Sequence, residues 1–206
     1  MNRSRVLVLG THNQKKHAEL ADLLAPLGFR LLSLADFPTS IEVVEDGSSF
    51  AANAELKATQ QSMHLGEWVL GEDSGISVDA LQGAPGIMSA RYSGAAATDS
   101  SNNELLLKEL GDLAMERRTA HYTCHLCLSD PEGNARLHCE EVCRGRIRFQ
   151  AAGSAGFGYD PLFEIREYHR SFGELGMVVK AFLSHRARAI RSLVPQLLKL
   201  AENTDW

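Results

Sequence analysis

No stretch of this sequence approaches the ~18 consecutive apolar residues of a membrane span. After Met1-Asn2-Arg3-Ser4-Arg5 come only Val6 to Leu9 before Gly10. That run is too short for the core of a secretory signal. An excess of positive charge is missing as well. Lys and Arg number 21 against 26 Asp and Glu, a net charge of −5, so there is no bulk basic field to wrap nucleic acid. Repeats and low-complexity tracts are absent too. The expectation is a cytoplasmic protein that works on neither a membrane nor a nucleic acid. Any phosphate-bearing ligand must then be met by a local cluster of positive groups.

Cysteine is scarce, with four thiols at Cys124, Cys127, Cys139 and Cys143. A Cys-x-x-Cys pair followed by Cys-x-x-x-Cys invites a zinc reading. The surrounding residues oppose it. Ala120, Tyr122, Cys124, Leu126 and Leu128 alternate with Thr119, His121, Thr123, His125 and Cys127. That period of two is a strand, and it places Cys124 and Cys127 on opposite faces. Buried thiols in a reducing compartment are expected instead.

What is present is an ordinary globular composition, 44% hydrophobic and 23% charged over 206 residues, suited to a single domain over residues 1–206. Arg5–Leu9 reads as a buried strand, and a helix from Lys16 carries Leu20, Leu23, Leu24 and Leu27 on one stripe with Gly28 as its stop. Phe29–Leu34 is a second strand. Ser48 or Ser49 can cap an Ala-rich helix from Phe50 to His64. Trp68–Leu70 and Ile76–Val78 read as two short strands around a Gly71–Gly75 turn. Ser101-x-x-Glu104 reads as a capping box opening a helix through Leu110. Strands at Arg118–Leu128 and Ala135–Arg146 form a long hairpin across Asp130–Asn134. Gly153, Gly156 and Gly158 make a loop. Ser184 can cap a last helix, with a kink expected at Pro195. Early alternation of strand and helix and a late hairpin predict an α/β fold with a mixed sheet.

Four segments place polar groups beside glycines or helix starts. Thr11-His12-Asn13-Gln14-Lys15-Lys16 joins the first strand to the first helix, where a helix N-terminus favours an anion. It is either a phosphate loop or a polar cap; the P-loop pattern is absent. Phe50, Asn53 and Lys57 share one helical face after the acidic run Glu45-Asp46-Gly47, a lined pocket or a solvated face. Glu72-Asp73-Ser74-Gly75 sets two carboxylates side by side. They repel unless a cation bridges them, and Mg²⁺ favours one or two carboxylates with substrate phosphates. The fourth joins Gly153–Pro161, with Phe157 and Tyr159 able to stack on a base, to Lys180 and Ser184-His185-Arg186. Cations at the start of that last helix oppose its dipole, and an anion or polar ligand there would offset the cost.

Taken in order, these pieces resemble the inosine triphosphate pyrophosphatase family. The resemblance rests on Thr11–Lys16, on Glu45–Phe50 with Asn53 and Lys57, and on Glu72–Leu81. It continues through Gly83-Ala84-Pro85-Gly86 with Ser89-Ala90-Arg91-Tyr92, then Gly156–Pro161, then Lys180 with Ser184-His185-Arg186. It implies an α/β fold with an elongated mixed β-sheet and flanking helices, two lobes around a central nucleotide-binding cleft, and a homodimer. It implies hydrolysis of ITP, dITP and XTP to the monophosphate and pyrophosphate with Mg²⁺. Carried over residue by residue, the phosphate-loop positions Thr11, His12, Asn13, Gln14, Lys15 and Lys16, with Asn53 and Lys57, would bind substrate. Glu45, Glu72 and Asp73 would serve the metal, and Asp73 would activate the water. Ser74 would contact substrate, Phe157, Gly158, Tyr159 and Asp160 would hold the base, and Lys180, His185 and Arg186 would complete the pocket. Two positions depart from the family: His12 stands where many members have Gly, and Glu72 where bacterial members usually have a second Asp. Donors such as His185 and Arg186 would suit a 6-oxo purine and leave a 6-amino group unpaired.

Overall fold

The computed structural model describes residues 5–203 and 206; Met1–Ser4, read above as carrying no signal, lie outside them. The chain starts with β1 (Val6–Gly10), whose Leu7, Val8 and Leu9 are fully buried. Helix α1 (Gln14–Leu24) follows, begins two residues before the expected Lys16, and is capped by Asn13, whose side-chain oxygen accepts from the Lys15 and Lys16 amides. A 3-10 turn, Ala25–Leu27, ends at Gly28 in the left-handed region with φ 77°. β2 (Arg30–Ser33) then runs parallel to β1. The connection is the helix that a parallel pair requires. Ser49 caps α2 (Phe50–Leu65) by accepting from the Ala52 amide.

β3 (Val69–Val78) corrects the sequence expectation, because it is one continuous strand where two strands and a turn were predicted. Gly71, Glu72, Asp73, Ser74 and Gly75 are turn formers by type. Here the two carboxylates find cationic partners from outside the strand, and the two glycines allow close approach. A Cβ on Gly71 would lie 2.3 Å from the Ala54 carbonyl oxygen and 2.7 Å from the Ala58 nitrogen of α2. A Cβ on Gly75 would lie 2.4 Å from Ser89 Oγ. Gly71→Ala is therefore expected to cost about 1–3 kcal/mol by overpacking and to push α2 off the strand, with the loss read as a lower denaturation midpoint.

The remaining elements are α3 (Asp99–Leu110), β4 (Thr119–Ser129), β5 (Ala135–Ile147), β6 (Phe163–Ile165), β7 (Arg170–Ser171), α4 (Phe172–Leu183) and α5 (His185–Asn203). The cap of α3 is Thr98, which forms its box with Ser101; the expected Ser101–Glu104 box lies inside the helix. α4 was not foreseen. Its start is marked by a Ser171–Glu174 capping box, and Gly176 interrupts it with φ 79°. α5 runs on through Pro195 as one helical segment. The seven strands form one mixed sheet in the order β2-β1-β3-β4-β5-β6-β7, with β1 parallel to β2 and β3, and β6 antiparallel to β5 and β7. The α/β class with a mixed sheet and flanking helices is thus as expected.

The chain divides into two compact units. The first holds the described residues up to Asp73, Cys124–Glu141 and the described residues from Arg186 on. Its core packs Leu7, Leu9 and Leu70 with Leu20 and Leu24 of α1 and Ile190, Leu193 and Leu197 of α5. The second holds Ser74–Thr123 and Val142–His185. Ile76, Val78, Leu106, Leu110, Tyr122, Phe163 and Phe172 build its core. All four cysteines are buried and outside any disulfide, and Cys124 and Cys127 fall in different core clusters, as the alternation predicted. Among the described residues no helix is long and apolar enough to cross a membrane.

Candidate active site

In the first unit a network of buried charge surrounds Glu72 and Asp73 of β3. Close approach at Gly71 lets α2 present Asn53 and Lys57 to Asp73. Lys57 Nζ donates to Asp73 Oδ1 at 3.0 Å and to Glu45 Oε2 at 2.9 Å. Asn53 Nδ2 donates to Asp73 Oδ2 at 3.2 Å, while Asn53 Oδ1 accepts from the Gly47 amide at 2.9 Å. One helical face thus holds both the carboxylate of β3 and the acidic loop that carries Glu45. Phe50 shares that face and is half-buried.

Lys16 joins from α1. Its Nζ lies 3.0 Å from Glu72 Oε2 and 3.9 Å from Asp73 Oδ1. Glu72 is fully buried, and Arg186 Nη2 donates to its Oε1 at 2.9 Å. The Arg186 Nη1 donates to Glu19, a residue of α1 not singled out in the sequence. Its position three residues after Lys16 puts it on the same helical face, which is the signal that could have revealed it. Cys124 Sγ also donates to Glu72, at 3.6 Å.

Burial sets the protonation of this network. It pushes the Asp73 carboxyl above the ordinary aspartate range, against the pull of Lys57 and Lys16. Desolvation works against the Lys57 ammonium, but the carboxylates of Asp73, Glu72 and Glu45 outweigh it and raise its pKa. Arg186 is held up in the same way by Glu72 and Glu19, despite its own burial. Burial, reinforced by Glu72, lifts the Cys124 thiol well above its usual range and keeps it protonated. The shift makes the Asp73 carboxylate more basic than a solvated one, which suits a group that takes a proton from water.

The Thr11–Lys16 loop bonds partly to itself. Thr11 Oγ1 accepts from the Asn13 amide at 3.2 Å, and the Lys15 and Lys16 amides are taken by Asn13 Oδ1. Two of the N–H groups expected to face an anion are thus taken by the cap, and the Lys16 ammonium lies against Glu72. Exposed His12 hydrogen-bonds the Ile41 carbonyl at 3.2 Å. With Thr11 and Gln14 it lines a cavity of about 520 Å³ that also includes His17, Phe37 and Pro38.

The second unit gathers most of the residues expected at a base. Asp160 is 1% exposed; its Oδ2 accepts from the Phe157 amide at 2.8 Å and from Lys180 Nζ at 2.5 Å. Lys180 Nζ also lies 4.4 Å from the centre of the Phe157 ring, a cation–π distance. The Gly158 amide donates to Asp99 and its carbonyl accepts from Asn103, which anchor the loop to α3. Tyr159 is 4% exposed. Its ring is in the core and its hydroxyl donates to the Ser89 carbonyl at 2.9 Å, so Phe157 is the ring of this pair left half-buried at the loop. His185 stacks on Tyr122, which sequence reasoning passed over although the alternation of β4 faced it inward. Ser74, half-buried, also belongs to this unit, whereas Arg186 belongs to the first.

Among the described residues no three His, Cys, Asp or Glu side chains are arranged to hold a metal by themselves. The network named above has four carboxylates, Glu19, Glu45, Glu72 and Asp73, against three cations, Lys16, Lys57 and Arg186, leaving one negative charge in excess. Hard oxygen donors short of a full cage fit Mg²⁺, which commonly completes its shell with water and substrate phosphates.

A model of the Ham1 family matches residues 7–196. A dITP/XTP pyrophosphatase from Rhodopirellula baltica is 57% identical over 205 residues, covering 100% of this chain and 99% of the relative. One from Desulforamulus reducens is 44% identical and covers 94% and 96%. Among solved structures, a HAM1 protein from Coxiella burnetii superposes with a TM-score of 0.87 at 34% identity, over 95% of this chain and 100% of that one. A nucleoside-triphosphatase / dITP/XTP pyrophosphatase from Mycobacterium abscessus gives 0.75 at 40% identity, over 93% and 99%.

Proposed function

The chain belongs to the Ham1 family, and on that premise we propose that it hydrolyses ITP, dITP and XTP to the nucleoside monophosphate and pyrophosphate. The observation that carries the chemistry is Asp73, a buried carboxylate held by Asn53 and Lys57 with Lys16 close by. Asp73 takes a proton from water, the water oxygen bonds to phosphorus, the α–β phosphoanhydride bond breaks, and pyrophosphate leaves. Lys16 and Lys57 oppose the negative charge of the triphosphate as it shifts to the leaving group. Glu72 holds Lys16 in place from within the sheet, with Arg186 as its counter-ion.

Glu45 and Asp73 are the carboxylates that would hold Mg²⁺, with Glu72 buried behind Lys16. A bound Mg²⁺ supplies Lewis-acid neutralisation of phosphate charge. In the second unit, Phe157, Gly158, Asp160, Lys180 and His185 are the residues proposed for the base. There Phe157 offers a stacking face and His185 a donor for a 6-oxo group.

The products test the proposal. Phosphorus NMR of an ITP reaction with Mg²⁺ is expected to show pyrophosphate, and none of it when EDTA replaces the metal. Orthophosphate with inosine diphosphate would overturn the assignment of the broken bond, and full turnover in EDTA would overturn the metal.

A further inference from the structure

Tyr122 has no place in the proposed chemistry, yet it touches two of the groups proposed for the base. It is 7% exposed and lies on β4 within the second unit. Its hydroxyl donates to Asp160 Oδ1 at 3.4 Å. Its ring stacks on the His185 imidazole, with centroids 4.5 Å apart and planes 7° from parallel. From another direction Phe163 packs against the same ring, centroids 4.7 Å apart at 58°. We infer that Tyr122 is a specificity-determining positioning residue: it aims His185 and Asp160, and so sets the discrimination between 6-oxo and 6-amino purines.

The argument runs through direction. A ring nitrogen bonds along the plane of its imidazole, so the orientation of that plane decides where the nitrogen can donate. Here the plane is fixed by a parallel stack on a phenol ring that is itself wedged against Phe163. Asp160 is fixed from both oxygens. One takes the Phe157 amide and Lys180, the other takes Tyr122. Losing the Tyr122 hydroxyl removes one of the bonds that hold the carboxylate, and with it loosens Lys180 and the Phe157 loop. A 6-oxo group is told from a 6-amino group by whether a well-aimed donor meets an acceptor. Loosening the aim costs the favoured substrate more than the rejected one.

This inference rests on assigning the base to the second unit, and the test separates the two. kcat and KM are measured for ITP and for ATP in the wild type, Tyr122→Phe, Tyr122→Leu, Asp160→Asn and His185→Ala. Thermal midpoints are recorded alongside. Tyr122→Phe keeps the stack and loses the hydroxyl; the ratio of kcat/KM for ITP over ATP is expected to fall about threefold, the scale of one hydrogen bond. Tyr122→Leu loses both, and the ratio is expected to fall about tenfold or more as the aromatic pair is removed. A merely structural role lowers kcat/KM for both nucleotides by one factor and leaves the ratio alone. An unchanged ratio in both Tyr122 variants, with a changed ratio in Asp160→Asn or His185→Ala, overturns the role of Tyr122. An unchanged ratio in all four variants overturns the assignment of the base to this unit, and the inference with it. If Tyr122→Leu does not fold, the ratio in Tyr122→Phe decides.

Discussion

Asp73→Asn removes pyrophosphate release, by about 10²–10⁴-fold, the typical contribution of a positioned general base, while nucleotide binding persists. The substitution keeps shape and removes the basic oxygen. An Asn oxygen can still accept from Lys57, so the two contacts that tie α2 to β3 are not both lost. Removing the negative charge from a group set beside Lys57 and Lys16, which keep Glu45 and Glu72 as partners, also lessens the repulsion of phosphate, so affinity for the triphosphate is expected to hold or rise. kcat from single-substrate kinetics and Kd from calorimetry separate the two effects. Turnover within a few-fold of wild type would remove Asp73 from the base role and leave it as a support for Lys57.

Arg186→Met is expected to have the largest effect on stability. Glu72 is fully buried on the interior strand β3, and its partners include Arg186, Lys16 and the Cys124 thiol. Removing one partner of a buried ion pair costs about 3–5 kcal/mol, because the remaining charge stays out of water. Glu19 loses its partner in the same step. Replacing both members, Glu72→Gln with Arg186→Met, is expected to recover part of the loss, since the penalty belongs to the stranded carboxylate more than to the missing contact. Urea unfolding of the two variants and the wild type measures this. A loss below about 1 kcal/mol in the single variant, the value of an exposed pair, would mean that Glu72 does not need its counter-ion. The same geometry explains why cations crowd the start of α5. The sequence suggested a ligand to offset their cost against the helix dipole, and for Arg186 the offset comes from Glu72 and Glu19.

Much of this was readable from residue order. The apolar run of β1, the stripe of α1, the Ala-rich α2 with Asn53 and Lys57 on one face, and the alternation of β4 follow periodicities that backbone geometry imposes. The middle of β3 was not readable. Gly71-Glu72-Asp73-Ser74-Gly75 is a turn by composition, and it stays extended only because Lys16, Lys57 and Arg186, distant in sequence, neutralise it and because α2 needs the space at Gly71. The start of α4 carried a legible box at Ser171 and Glu174, hidden by Gly173 and Gly176 in its first turns. The residues proposed for the site were legible as types in order, but their division of labour was not. Asn13 serves as a helix cap, Tyr159 as core, and Arg186 as the counter-ion of a buried glutamate. These roles depend on neighbours that no local pattern names.

The central claim is a metal-dependent pyrophosphohydrolase selective for nonstandard purines. Pyrophosphate release from ITP, XTP, GTP and ATP, each with Mg²⁺ and with EDTA, tests it most directly. The expected result is release from ITP and XTP in Mg²⁺ only, with little from GTP or ATP. Equal release from all four nucleotides, or none from any while nucleotide still binds, would contradict it.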